Sequence, residues 1–259
     1  MPDASPASRL RARLREGAPL VGTFVKLAAL ESVDIVHSLG FDLGVIDGEH
    51  SQLDEGAILA LLRHAGARGL PALVRTPSTD AGTINRMLEA GAAGIQLSTL
   101  RARAERDALV SATRYPPDGT RSVSLAHPGA DYSGIPLVRY LEESKAFPLA
   151  VGQIETATTS DPLDTLMPGL DAAFIGTTDL SVDLGRPGAL GDPRVAARVS
   201  EIATAAAKAG VALGAWVPNV EALAQLRPAK IRYVLVGSDL QQMRAGLSSV
   251  VSAARTALA

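Results

Sequence analysis

The 259-residue chain contains no cysteine. That absence removes disulfides, thiolate zinc sites, iron–sulfur clusters and cysteine nucleophiles together. Carboxylate, imidazole, guanidinium and hydroxyl groups are left as the chemical toolkit. Lysine is scarce: Lys26, Lys145, Lys208 and Lys230 are the whole supply, and arginine provides the rest of the 25 basic residues. Excess charge is lacking as well. The 25 basic and 27 acidic residues give a formal charge of −2 without a basic block, so nothing marks a surface for nucleic acid or for an anionic membrane. No apolar run reaches the ~18 residues of a membrane helix. The segment Met1 to Ala18 carries Arg9, Arg11, Arg13 and Arg15 and lacks the apolar stretch of a secretory signal. The expectation is a soluble cytoplasmic protein whose partners are small molecules, with no nucleic acid and no membrane.

What is present is a large apolar fraction, 47% of residues, in a chain of the length at which a single α/β barrel is common. Short β-type runs alternate with longer stretches of helical period. The strand candidates are Leu20 to Lys26, Leu43 to Asp47, Ala72 to Arg75, Gly94 to Leu97, Leu149 to Glu155, Ala172 to Gly176, Ala212 to Val217 and Tyr233 to Val236. Helix candidates between and after them are Leu30 to Leu39, Asp54 to Arg68, Thr83 to Ala90, Arg101 to Arg114, Pro193 to Ala209, Val220 to Leu226 and Leu240 to Leu258. This alternation predicts a closed (β/α)8 TIM barrel. No linker or composition shift divides the chain, so residues 1–259 are read as one domain, with 1–18 a short N-terminal extension. The widest interval between strands holds the Pro/Gly-rich segment Tyr115 to Pro136, too long for an ordinary connector and expected over the mouth of the barrel.

In such barrels, polar residues at the carboxyl ends of strands face the catalytic pocket. Strand two ends in Asp47-Gly48-Glu49-His50. Singly these residues read equally well as helix caps with a solvated histidine; as a cluster they suit catalysis, and histidine titrates near neutral pH, as a general base should. His37 and His64 fall inside helix patterns and are assigned to packing or surface. Strand three ends in Arg75, whose fixed charge either salt-bridges across the rim or stabilises an enolate or carboxylate. Strand five places Gln153 and Glu155 on one side by alternation, which needs compensation in an apolar interior. Strand six delivers Asp179 to the next helix start. Alone it reads as an N-cap; paired with Glu155 it offers two hard oxygen ligands for a divalent cation.

These residues resemble the metal-dependent (class II) aldolases of the HpcH/HpaI type, in the phosphoenolpyruvate/pyruvate superfamily of barrels. The resemblance rests on Val21-Gly22-Thr23, Asp47-Gly48-Glu49-His50, Val74-Arg75, Leu88-Glu89-Ala90-Gly91-Ala92, Arg114-Tyr115-Pro116-Pro117 with Gly119 and Arg121, Gln153-Ile154-Glu155-Thr156, Ile175-Gly176 and Asp179-Leu180-Ser181. The tail Leu184-Gly185, Pro187-Gly188 and Asp192-Pro193 also fits. It implies reversible cleavage of 4-hydroxy-2-oxo acids to pyruvate, or a close 2-oxo acid, and an aldehyde through a metal-stabilised enolate. By motif position it implies His50 as general base, Arg75 as enolate stabiliser, and Glu155 with Asp179 as ligands of Mg2+, Mn2+ or Co2+. Gln153 and the Thr178 to Asp179 backbone would hold the substrate carboxylate. Glu89 stands where the family has an aspartate that raises the basicity of the histidine. It further implies a homo-oligomer, often a hexamer, with an exchanged C-terminal helix, which the apolar tail Leu240 to Leu258 permits.

Departures from the pattern are Gly94-Ile95-Gln96-Leu97-Ser98, where a proline followed by an apolar residue is common, and Ser122, where glycine is usual. His127 and Tyr132 occupy a region that often holds an arginine before the tyrosine; these changes bear on the acceptor aldehyde, with a solvated loop position as the alternative for His127. Three rivals remain open. A Schiff-base aldolase would need a desolvated lysine, and Lys26 alone ends a predicted strand. An acyl-CoA lyase of the same superfamily would share the carboxylates, and a non-catalytic barrel would bind an oxo acid as a sensor.

Overall fold

The computed structural model describes residues 5–145 and 148–259. Its order is α1 (Pro6–Arg15), β1 (Leu20–Val25), α2 (Leu30–Ser38), β2 (Leu43–Asp47), α3 (Glu55–Arg68), β3 (Ala72–Thr76), α4 (Ala81–Glu89), β4 (Gly94–Leu97), α5 (Arg103–Thr113), α6 (Leu137–Ser144) and β5 (Leu149–Ile154). It continues with α7 (Leu163–Leu166), β6 (Ala172–Ile175), α8 (Thr177–Asp183), α9 (Pro193–Ala209), β7 (Ala212–Val217), α10 (Leu223–Leu226), β8 (Tyr233–Ser238) and α11 (Asp239–Leu258). The strands pair in sequence order into a closed barrel, every pair parallel. The expected (β/α)8 barrel is therefore what forms. No described helix is long and apolar enough to cross a membrane.

Period-two alternation divides each strand between two cores. Leu43 and Val45 of β2, Leu73 of β3, Leu149 and Val151 of β5, Phe174 of β6, and Tyr233 and Leu235 of β8 fill the barrel interior with Phe24. Their neighbours Ile46, Val74, Ile95, Ile154, Ile175 and Val234 face the helices and join Ile58, Leu62, Ile84, Leu109 and Ile202 in an outer core. Helix starts follow ordinary capping chemistry: Asp54 and Asp80 accept from Ala57 and Thr83 main-chain N–H groups, and α3 ends on Gly69 in the left-handed region.

The described part of the presumed extension is integral to the barrel. Leu10 and Leu14 of α1 are buried in the interior core. Arg11 pairs with Asp171 at 2.5 Å, and Arg114 reaches the other oxygen of that carboxylate at 3.0 Å. Since Asp171 immediately precedes β6, α1 seals the amino end of the barrel and leaves the carboxyl end open.

The segment Tyr115 to Pro136 does not cover that open end, contrary to the sequence expectation. It follows α5 rather than β4, so the chain has already crossed back to the amino end, whereas mouth loops follow strands directly. Arg121 accordingly bonds Asn85 Oδ1 near the end of α4 at 2.9 Å, and His127 and Tyr132 share a cavity with Leu70, Pro71, Ala92 and Pro148, which precede β3, β4 and β5. An influence of these two residues on the acceptor aldehyde within their own chain is excluded by this placement.

Leu10→Ala should therefore cost about 2–5 kcal/mol, the range for truncating a leucine in a core, measurable by urea unfolding. An unchanged midpoint would make α1 a peripheral appendage.

Candidate active site

The inward rows turn polar where the strands end. One residue past β1 is Lys26, the last residue of β2 is Asp47, β3 contributes Arg75, and Gln153 lies in β5 with Glu155 one residue past its end. Together with Phe24, His50, Phe174, Thr178, Asp179 and Trp216, Lys26, Arg75 and Gln153 line a cavity of about 510 Å3. Asp47 lies beneath its wall, with no exposed surface.

Asp47 collects donors from three directions. Arg75 Nε and Nη2 grip its two oxygens at 2.9 and 2.6 Å, a bidentate fork. Lys26 Nζ lies 2.9 Å from Oδ2, and the main-chain N–H groups of Glu49 and His50 each donate to Oδ1 at 3.1 Å. Burial pushes this carboxyl upward, but the Arg75 hydrogen bonds and charge, with Lys26 and the His50 N–H, overrule it and hold Asp47 well below the usual carboxylate range. The Arg75 guanidinium also faces Glu49 at 3.3 Å and stacks over the Phe24 ring at 4.4 Å. The two readings of Arg75 thus merge: it is salt-bridged at the rim and presents a fixed charge to the cavity.

Asp179 lines the same cavity, and the largely buried Glu155 lies against Gly176 of its wall. Glu155 accepts from Thr99 Oγ1 and Gln153 Nε2, both at 2.5 Å, while Asp179 is exposed in the first turn of α8. Burial pushes the Glu155 carboxyl up; the two hydrogen bonds oppose this, and the charges of Asp179 and Glu49 add to the rise. A carboxylate destabilised by burial and by a neighbouring carboxylate is one that a cation would stabilise. Gly176 supplies the space: a Cβ there would stand 2.4 Å from Glu155 Oε2 and 3.0 Å from Gln153 Nε2. Among the described residues no three His, Asp or Glu side chains converge into a complete metal cage. Two hard oxygen donors side by side could hold a divalent ion only if other ligands completed its shell.

His50 is exposed and lines the cavity. Its backbone is pinned by Asp47 at the N–H and by Lys26 Nζ at the carbonyl, 3.1 Å away, so the imidazole moves on a fixed base. Thr178 is exposed beside it at the start of α8. Glu89 does not join this group within the chain. It accepts from Asn85 Nδ2 at 3.1 Å and its charge acts on His127 and Tyr115, whereas the carboxylate nearest His50 Nε2 is Glu49 at 3.7 Å. The reason is positional: Glu89 ends α4, at the amino end of the barrel. His127 is not a solvated loop residue either. It is 6% exposed, bonds the Ser124 carbonyl at 3.0 Å, and packs edge-on to Tyr140. His64 pairs with Asp34 at 3.0 Å, a contact between α3 and α2, as a surface role requires.

Asp47 as organiser, Lys26 as its partner and Trp216 on the rim were not singled out from sequence. For Asp47 the signal was available, since alternation from Leu43 and Val45 points it inward. For Lys26 and Trp216 only the closed barrel brings β1 and β7 to the same opening.

The family profile of HpcH/HpaI aldolase/citrate lyase matches residues 20–245. The chain belongs to this family. A 4-hydroxy-2-oxovalerate aldolase from Rhodococcus jostii is 36% identical over 224 residues, 85% of each chain. A hydroxypyruvate/pyruvate aldolase from Paraburkholderia phytofirmans is 32% identical over 243 residues, 90% of this chain and 92% of that one. The crystal structure of an HpcH/HpaI aldolase from Desulfitobacterium hafniense superposes with a TM-score of 0.88 at 25% identity, covering 95% of this chain and 96% of its own.

Removing the organising carboxylate tests the electrostatics. Asp47→Asn should cost about 3 kcal/mol, the low end for breaking a buried pair, because Arg75 loses its bidentate partner and keeps Glu49 as its remaining counter-charge. The sign with pH follows from the depressed value: the Asp47 contribution is complete above the ordinary aspartate range and is lost as pH falls toward the folded-state value, because the unfolded chain takes up the proton first. Urea unfolding across acid pH should show a shallower pH dependence in the variant; equal slopes would mean that Asp47 is not held ionised. Gly176→Ala should displace Glu155 and, because the new Cβ would also stand 2.7 Å from Glu155 Cβ, lower the thermal midpoint, checked by calorimetry; an unchanged midpoint would mean that the wall has slack at this position.

Proposed function

We propose that this chain is a class II aldolase that reversibly cleaves 4-hydroxy-2-oxo acids to pyruvate, or a close 2-oxo acid, and an aldehyde. The observation that carries the reading is one cavity lined by a salt-bridged guanidinium, an exposed imidazole and Asp179, with the hydrogen-bonded Glu155 carboxylate against its wall. The aldolase names of relatives above 30% identity support it.

A divalent cation held by Glu155 and Asp179, whether Mg2+, Mn2+ or Co2+, supplies Lewis-acid polarisation of the 2-keto group. The chain's own residues do the rest. First-turn N–H groups of α8 at Thr178 and Asp179, unpaired as in any helix start, receive the substrate carboxylate, with Gln153 beside them. His50 takes the 4-hydroxyl proton as the C3–C4 bond breaks, and the bond's electron pair passes to the three-carbon fragment. Arg75 carries its developing negative charge without having to reorganise, because Asp47 already fixes the guanidinium. In synthesis the proton returns from His50 to the new alkoxide.

Lys26 makes a poor Schiff-base nucleophile in this setting. Its amine donates to Asp47 and to the His50 carbonyl, the opposite of the apolar pocket such a lysine needs.

The same reading includes a homo-oligomer with an exchanged C-terminal helix. No residue of the 20-residue α11 is buried, yet Leu240, Met243, Leu247, Val250 and Val251 recur at helical spacing on it, each at least 44% exposed. Leu30, Ile35 and Leu39 at α2 are exposed too, giving a second copy's α11 an apolar partner. A Glu89 serving His50 would have to come from such a copy.

The test is pyruvate release from a panel of 4-hydroxy-2-oxo acids, with methyl-proton exchange of pyruvate in D2O followed by NMR and acyl-CoA thioesters as a comparison set. Chelation should abolish cleavage and exchange, and added Mg2+, Mn2+ or Co2+ should restore both. Turnover only on thioesters would favour the acyl-CoA lyase, neither exchange nor turnover the silent oxo-acid binder, and borohydride trapping on Lys26 the Schiff base. Arg75→Lys should lower kcat by roughly 10²-fold or more, the usual loss for an oxyanion donor; a change in KM alone would make Arg75 an anchoring residue.

A further inference from the structure

Beneath the cavity a hydrogen-bonded string crosses the barrel interior. The Tyr233 hydroxyl on β8 donates to Gln96 Oε1 on β4 at 3.1 Å. Gln96 Nε2 donates to Gln153 Oε1 on β5 at 2.7 Å, and Gln153 Nε2 donates to Glu155 Oε2 at 2.5 Å. Tyr233, Gln96 and Gln153 are each at most 2% exposed.

The direction of this string is set from its far end. An ionised carboxylate only accepts, so Gln153 must present its amide nitrogen to Glu155. Its oxygen then faces Gln96 and requires a donor, which turns the Gln96 nitrogen toward it. The Gln96 oxygen is left facing Tyr233, and a phenol has one hydrogen to give. Turning both amides over would set the Gln153 oxygen against the Glu155 carboxylate, and the Tyr233 hydroxyl completes the favoured arrangement by supplying the donor that the buried Gln96 oxygen needs.

The surrounding residues make room for this arrangement. Tyr233 lies against Phe174 with ring centroids 5.2 Å apart, over a glycine of β7. A Cβ on Gly214 would stand 2.6 Å from Tyr233 Cδ1 and 2.7 Å from Phe174 Cδ2, so the ring reaches the interior only because that position carries no side chain.

We propose that Tyr233 and Gln96 are positioning residues that lock the Gln153 amide, and through it the Glu155 carboxylate, into the one orientation that binds a divalent cation. The proposal rests on the reading of Glu155 as a cation ligand. With the hydroxyl removed, the Gln96 oxygen is buried without its donor, and Gln96 and Gln153 lose the contact that holds their amide planes in place. A displaced Gln153 amide no longer holds Glu155 Oε2 in this geometry, and the carboxylate is free to swing away. Gln153 also lines the cavity, so its displacement moves a donor on the substrate side as well.

The experiment titrates the metal-free full-length protein with Mn2+, following free Mn2+ by EPR, for wild type, Glu155→Gln, Tyr233→Phe, Gln96→Met and the double variant Tyr233→Phe/Gln96→Met. Each protein's thermal midpoint and its KM and kcat for pyruvate release are recorded beside it. Wild type should bind one Mn2+ and Glu155→Gln none. Tyr233→Phe, which keeps the ring packing, should bind on the order of tenfold more weakly, as when an outer hydrogen-bond partner of a metal ligand is lost. Gln96→Met should bind at least as weakly, and the double variant should be less impaired than the product of the two single losses because both act through one string. KM for the oxo acid should rise in both single variants. Wild-type Mn2+ affinity in Tyr233→Phe, beside a Glu155→Gln that has lost binding, overturns the proposal and leaves the aldolase reading standing, whatever the thermal midpoint does. Absence of Mn2+ binding in wild type, or its persistence in Glu155→Gln, removes the cation-ligand reading and the proposal with it. Should Gln96→Met fail to fold, the Tyr233→Phe affinity alone decides.

Discussion

A carboxylate with no exposed surface must be surrounded by donors, and at Asp47 the donors gathered to meet that need form one side of the active site. Arg75 comes from β3, Lys26 follows β1, and the Glu49 and His50 N–H groups belong to the turn after β2. Each contact stabilises the buried charge and also fixes a group that lines or borders the cavity. The fork holds the guanidinium plane, Lys26 ties the His50 carbonyl, and the two N–H bonds shape the turn that carries the imidazole. Arg75 and Asp47 thus cannot be assigned separately to stability or to chemistry.

The opposite side of the cavity is organised by the reverse condition. Among the described residues, the ion pairs of the cavity cluster on Asp47, Glu49, Lys26 and Arg75, while Glu155 and Asp179 have no cationic partner. Hydrogen bonds from Thr99 and Gln153 orient Glu155 without neutralising it, since neutral donors leave the net charge in place. One wall therefore carries its charge balance internally and the other is left with surplus negative charge. A 2-oxo acid brings a further negative charge to the cavity, so a cation between the carboxylate pair and the substrate relieves both repulsions.

Much of this was legible in the sequence because its signals are local. Short apolar runs between helical stretches predicted each strand to within a few residues, alternation along a strand gave the shared face of Gln153 and Glu155, and the ordered motifs marked His50, Arg75 and Asp179. What failed were inferences about where long connections go. Tyr115 to Pro136 was expected at the mouth because of its length, but position in the βα cycle decides which end a segment occupies, and a segment after α5 emerges at the amino end. The same geometry separates Glu89 from His50, since α4 carries its last residue away from the carboxyl ends of the strands. Gln96 was visible only as a departure from a pattern. Its partners Tyr233 and Gln153 lie 137 and 57 residues away, and no local reading joins them.

Barrel closure, then, does more than bury apolar rows. It lets Tyr233 at the start of β8 reach a carboxylate just past the end of β5 through directly hydrogen-bonded side chains on β4 and β5. The amino end is sealed by α1 and the interior is packed with Leu43, Val45, Leu73 and Phe174, so the polar string cannot relax toward solvent and each amide must hold its orientation. The floor of the cavity is rigid for that reason. Its rim, where His50, Thr178 and Asp179 are exposed, is free to respond to substrate. A rigid floor beneath an exposed rim suits a reaction whose negative charge always develops on the same oxo-acid fragment while the aldehyde varies.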